Sequence, residues 1–195
     1  MRSRVSWRGS SMSDQRRLFF GLRPSATRRG ELEHSVNDWQ LGGRPVAAGN
    51  YHITLVFLGS CDAPSMERAK KAAGAVHARP LTLVLSRVEY WHRPRIAALV
   101  PRVVPPALER LQRELALALR TADFELEDRV YRPHLTLARK AVQREPFDVA
   151  PQRFRFARFG LFESRSGLGG VRYIELDTWS LTGAPGGVSD MADME

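Results

Sequence analysis

The stretch His52-Ile53-Thr54-Leu55 reads histidine, apolar, threonine, apolar, and His134-Leu135-Thr136-Leu137 reads the same again. Each lies in an apolar run bounded by Gly or Pro, which predicts a strand. Side chains alternate faces along a strand, so His52 shares a face with Thr54, and His134 with Thr136. That face offers an imidazole and, about 6.5 Å further along, a hydroxyl, a spacing suited to a phosphate. One His-x-Thr on a strand is ordinarily a satisfied core residue. Two copies with the threonine at the same offset, in a chain with only five histidines, point to one site built from two related halves. His34 on a predicted helix, His77 at the end of another and His92 beside a turn read as surface residues.

Working outward, Arg17 to Leu22 predicts a short strand. Pro24-Ser25 opens a helix to about Gln40, with Leu32, Val36 and Trp39 at helical spacing. The first motif strand spans 51–58, and a helix over 64–78 follows. Leu81 to Leu85 predicts a buried strand that continues, with a kink, towards Tyr90 and Trp91. Arg93-Pro94 turns the chain into a strand over 95–100. Pro105-Pro106 opens the longest helix, 106–121, with the apolar stripe Leu108, Leu111, Leu115 and Leu119. After the second motif strand, Phe154 to Phe162 reads as one alternating strand and Val171 to Leu181 as the last. Strands and helices mix without strict βαβ alternation, so the fold class is α+β with a mainly antiparallel sheet. The similar rhythm before each motif predicts two pseudo-symmetric lobes. Residues 1–14 and 183–195 are expected to be disordered tails around one bilobed domain, 15–182, and Met12 is an alternative to Met1 as the start.

The chain has 195 residues, 43% hydrophobic and 26% charged, enough for one compact domain with a sizeable core. Its net charge is +9 and its pI about 10.7, which favours a polyanionic partner, nucleic acid first. A single cysteine, Cys61, excludes an intrachain disulfide and fits a reducing, cytoplasmic setting. No apolar run approaches the roughly 18 residues of a membrane span, and no apolar stretch follows the basic N-terminus as a secretory signal requires.

Metal-free cleavage of a phosphodiester requires a base for the attacking oxygen and an acid for the leaving alkoxide. Histidine suits both because its pKa lies near neutrality. Two imidazoles on opposite sides of one phosphorus supply both, and two threonine hydroxyls can donate to non-bridging oxygens. No metal site or cofactor is expected: neither motif holds a carboxylate, and HExxH and CxxC spacings do not occur. There is no Gly-x-Ser-x-Gly elbow, and Cys61 lies in an expected polar turn with no histidine placed to activate it. Gly167, Gly169 and Gly170 fall in a loop between strands, so they do not read as a dinucleotide fingerprint.

The paired His-x-Thr-x motifs resemble the two-histidine (2H) phosphoesterase superfamily, and more narrowly the LigT/ThpR family of RNA 2′,3′-cyclic phosphodiesterases, once described as 2′-5′ RNA ligases. The likeness runs from about Arg17 to Leu181. It includes Arg17-Leu18-Phe19-Phe20, Gly43-Arg44-Pro45-Val46, Asn50-Tyr51-His52 with Phe57-Leu58-Gly59, Pro133-His134 through Arg139, Leu161-Phe162-Glu163-Ser164 and Tyr173. The resemblance implies histidines facing each other across a cleft, with His52 as proton donor and His134 as proton acceptor. It implies Thr54 and Thr136 as phosphate binders and Arg139 as a phosphate or substrate contact. Phe20 and Tyr131 are candidates for the aromatic beside the base. Periodicity alone puts Arg139, at an odd offset from His134, on the opposite strand face. The implied partners are RNA with 2′,3′-cyclic phosphate ends or cyclic nucleotides, handled by a monomer, with 2′-5′ ligation as the reverse chemistry. The competing readings are an idle RNA- or nucleotide-binding module and a phosphodiesterase for small cyclic phosphates or 2′-5′ linkages.

Overall fold

A computed structural model describes residues 15–142, 144–167 and 170–183. The expected tails fall outside these residues except for Gly183, whose N–H donates to the Ala78 carbonyl at 2.9 Å. The elements are β1 (Arg16–Leu22), α1 (Ala26–Asp38), β2 (Arg44–Pro45), β3 (Ile53–Cys61), α2 (Ala63–Gly74), β4 (Leu81–Trp91), β5 (Ile96–Val100), α3 (Pro106–Thr121), β6 (Leu135–Arg139), β7 (Phe147–Phe156), β8 (Arg158–Gly167) and β9 (Gly170–Ser180).

Helix boundaries follow local chemistry. Ser25 caps α1 by accepting from the Arg28 N–H, and Asp62 caps α2 by accepting from Ser65. Such caps satisfy amides that have no partner inside the helix. Proline at the first position starts α3. Its Leu108, Leu111, Leu115 and Leu119 are all fully buried, as the spacing predicts. At about 1.5–3 kcal/mol per buried leucine, this stripe is a main anchor of the helix.

The described strands form one sheet in the order β7-β4-β5-β6-β3-β1-β8-β9, with β2 paired to β6. Every pairing is antiparallel. Strand–helix–strand units β1-α1-β3 and β5-α3-β6 each place the motif strand beside the strand that preceded the helix. The two motif strands meet in the middle, where the pairing is confined to Ile53 opposite Leu135. Apart from β2, which also pairs with β6, the sheet is two four-strand halves that meet at one residue pair, which fulfils the expectation of two related lobes.

One sheet face carries the main core. Ile53, Leu55, Leu135 and Leu137 lie there with Leu32, Val36 and the α3 leucines. The other face holds a smaller apolar cluster of Ile96, Ala98 and Val100 under Trp91.

Two expectations are corrected. Phe154 to Phe162 is two strands: the chain breaks at Ala157, and β7 and β8 belong to different halves of the sheet. Both strands bury phenylalanines, so the run reads as one strand, but the parity changes at the break: Phe154 and Phe156 are buried, Ala157 and Arg158 are both exposed, and Phe159 is buried. Cys61 is the last residue of β3 and is buried, so it is not in a polar turn.

Candidate active site

His52 and His134 each stand one residue ahead of a motif strand. Continuing the Ile53–Leu135 register one step each way places His52 opposite Thr136, and Thr54 opposite His134. The four side chains therefore mark a rectangle, with the histidines on one diagonal and the threonines on the other. Burial alternates as this requires: Ile53, Leu55, Leu135 and Leu137 are buried, while the four motif side chains are half-buried. Diagonal neighbours across an antiparallel pair lie about 7–8 Å apart, room for a phosphate between two imidazoles.

Both rings are held alike. His52 Nδ1 lies 2.7 Å from the Asn50 carbonyl, and His134 Nδ1 lies 2.9 Å from the Arg132 carbonyl. A carbonyl only accepts, so each Nδ1 carries the proton and each Nε2 is left for the cleft. Desolvation pulls both imidazoles below their ordinary pKa, His52 to about 4, and the hydrogen bonds to Asn50 and Arg132 oppose the shift. Arg139 adds positive charge near both rings and lowers both further.

That Arg139 acts on both histidines corrects the simple periodicity, and the reason is a bulge. Ala97 faces Ala138 while Ala98 faces Thr136, so Leu137 has no partner of its own on β5. One extra residue reverses the alternation beyond it. Leu137 and Ala138 are buried in succession, and Arg139 returns to the cleft face. Its guanidinium donates to the Tyr173 hydroxyl at 3.1 Å. β3 repeats the device at the same offset: Phe20 faces Val56 and Gly21 faces Thr54, so Leu55 is skipped. Phe57 is the resulting counterpart of Arg139, 41% exposed and capped by the Arg17 guanidinium.

Phe20 is fully buried in the main core, against Phe159 and Trp179. Its neighbour Phe19 takes the cleft position, with its ring 4.8 Å from His52 and 5.1 Å from Tyr173. The alternation Leu18, Phe20, Leu22 on the core side already carried that signal. Tyr131 is partly buried beside the first motif, its hydroxyl donating to the Thr54 carbonyl at 3.2 Å, and burial pushes its phenol up. Sequence reasoning did not single out Trp91, whose ring lies 4.5 Å from His134, or Asn50. His34, His77 and His92 are exposed, as expected. No cluster of residues suited to a metal ion occurs among the described residues, and none of their helices is long and apolar enough to cross a membrane.

Comparison with known proteins places the chain in a family. The family model described as "LigT like Phosphoesterase" matches twice in tandem, over residues 24–98 and 99–173. The chain is 34% identical over 182 residues to the RNA 2′,3′-cyclic phosphodiesterase of Escherichia coli K12, covering 88% of this chain and 99% of that one. It is 29% identical over 125 residues to the protein of the same name from Bacillus subtilis 168, covering 58% and 68%. A crystal structure of E. coli LigT complexed with 3′-AMP superposes with a TM-score of 0.78 at 31% identity, covering 86% of this chain and 99% of that one. Two copies of the family model span most of its length, and the chain belongs to the LigT-like phosphoesterases, enzymes of the 2H type.

Proposed function

We propose that this enzyme opens 2′,3′-cyclic phosphate ends of RNA, using His52 and His134 as its acid and base. The observation that carries the reading is the diagonal pair of imidazoles, each with Nδ1–H tied to a carbonyl and Nε2 turned to the cleft. The names of the E. coli and B. subtilis relatives support this substrate class. The E. coli complexes with 3′-AMP and with phosphate support a cleft that takes such groups.

In this reading the cyclic phosphate sits between the histidines. His134 Nε2 takes a proton from water, whose oxygen attacks phosphorus in line with the bond to the ribose 3′ oxygen. As that bond breaks, His52 Nε2–H protonates the departing oxygen, leaving a 2′-phosphate. Thr54 and Thr136 donate to the non-bridging oxygens, and Arg139 balances the phosphate charge. A 5′-hydroxyl in place of water would form a 2′-5′ linkage by the same transfers. Only the state with one Nε2 proton between the two rings is active, so the rate should be bell-shaped in pH.

A second assignment exchanges the two roles. Desolvation holds His52 at about 4, which suits a base, and His134 would then be the acid. An anion bound beside both rings raises both, so the bound complex decides. Chromatography of the product from 2′,3′-cyclic AMP separates the two. Mainly 2′-AMP supports His52 as the donor, mainly 3′-AMP means that the roles or the substrate orientation are reversed, and no turnover would remove the phosphodiesterase reading.

A further inference from the structure

The residue two places before each histidine does more than lend its carbonyl. In one half, Asn50 Nδ2 donates to the Val171 carbonyl at 2.7 Å, and Asn50 Oδ1 accepts from the Tyr173 N–H at 3.1 Å. The amide thus grips β9, the outermost strand of its half, as a paired strand would. Tyr173 in turn sets its ring edge-on to His52, centroids 4.6 Å apart. In the other half, the Arg132 guanidinium lies 4.6 Å over the Trp91 ring, and Trp91 lies against His134. Glu89 closes that loop, accepting from Trp91 Nε1 at 2.9 Å and from Arg132 at 3.1 Å. Different side chains, at the same offset, make the same connection: main chain to the imidazole, side chain to the aromatic residue that packs on that imidazole.

We infer that Asn50 and Arg132 are positioning residues, each locking the aromatic wall of its half to the ring plane and tautomer of its histidine. The chemistry behind this is general. An imidazole held only through Nδ1 can swing about its bonds, and a ring packed on one face cannot. A carbonyl whose own residue is anchored twice is a fixed acceptor. Misplacement of a reacting group by about 1 Å can lower a rate about 100-fold. The inference rests on the acid–base reading above for its effect on rate, but not for its effect on the rings.

The test reads the rings directly. Long-range proton–nitrogen NMR of the whole protein distinguishes Nδ1–H from Nε2–H imidazoles. Wild type should show the Nδ1–H form at both histidines. Asn50→Ala should mix the tautomers at His52 and leave His134 unchanged, and Arg132→Ala should do the reverse. kcat for 2′,3′-cyclic AMP should fall about 10- to 100-fold in each, with KM nearly constant. Asn50→Asp, which keeps the acceptor for Tyr173 but loses the donor to Val171, should fall between. Arg132→Lys keeps a charge for Glu89 but not a flat cation over Trp91, and should recover only part of the loss. Unchanged tautomers in both alanine variants overturn the inference, as does an equal response of both histidines to either variant. Selective tautomer changes in a protein without phosphodiesterase activity would keep the inference and remove the function proposed above.

Discussion

The two halves of the sheet use one backbone plan and fill it with opposite chemistry. Both set histidine one residue before a strand, both skip a residue three places later, and both return the fifth residue to the cleft. In the His134 half that residue is Arg139; in the His52 half it is Phe57. Opposite the motif threonine stands Ala98 in the first and Gly21 in the second. The lesson is a division of labour: the repeated backbone supplies two proton carriers, and the fifth residue, which differs, brings a cation to the cleft from one half and a phenyl ring from the other.

If the histidines are the shared chemistry, removing either should have the largest effect. His52→Ala and His134→Ala should each lower kcat/KM about 10²–10⁴-fold with 2′,3′-cyclic AMP. The double variant should lose less than the product, because the pair acts as a unit. Strictly multiplicative losses would mean two independent halves.

The cation comes next. None of the ion pairs among the described residues uses Arg139, so its charge is available to an anion. Arg139→Ala should weaken binding of inorganic phosphate, measured by calorimetry, about 10- to 100-fold, the worth of one charged hydrogen bond. Phe57→Ala should change it less than about 3-fold. Similar losses at the two positions would abolish the asymmetry.

The small residues opposite the threonines differ in tolerance. A Cβ on Gly21 would lie 2.9 Å from the Ile53 carbonyl oxygen, a backbone atom with little room to move. Gly21→Ala should destabilise the fold by about 1–3 kcal/mol in denaturant unfolding, although Ala98 fills the equivalent place. An unaffected midpoint would show that β1 and β3 can spread.

The last effect concerns pH. The folded protein holds His52 at about 4 against an ordinary 6.5, chiefly through desolvation. Protonation therefore favours the unfolded chain. Stability should be full above about pH 6.5 and decline from there towards about pH 4. Desolvation lowers His134 in the same direction. Thermal melts of His52→Gln should decline less over that window than wild type, and saturating phosphate, which raises the imidazole pKa of the folded protein, should make the wild-type decline smaller. A steeper decline in His52→Gln would reverse the sign of the assignment.

Much of this was legible in the chain. The α3 stripe and the two motif faces follow from spacing alone, because burial selects side chains at the period of the element. The reading failed where a tertiary partner resets the period. Phe154 to Phe162 looked continuous because both β7 and β8 bury phenylalanines, although they lie in different halves. Arg139 looked misdirected because the bulge at Leu137 exists only in its pairing with β5. Phe20 was the aromatic that hydrophobicity favours, yet parity on β1 gives the cleft to Phe19.

The repeated His-x-Thr pairs, the helices and the antiparallel class follow from the chain alone, since these depend on local periodicity and on residue types close in the chain. The surroundings of the histidines come from the folded arrangement. Trp91, Asn50, Tyr173 and Arg139 reach them through strand pairing, bulges and hydrogen bonds between distant segments, and a one-residue change of register there turns a side chain from core to cleft.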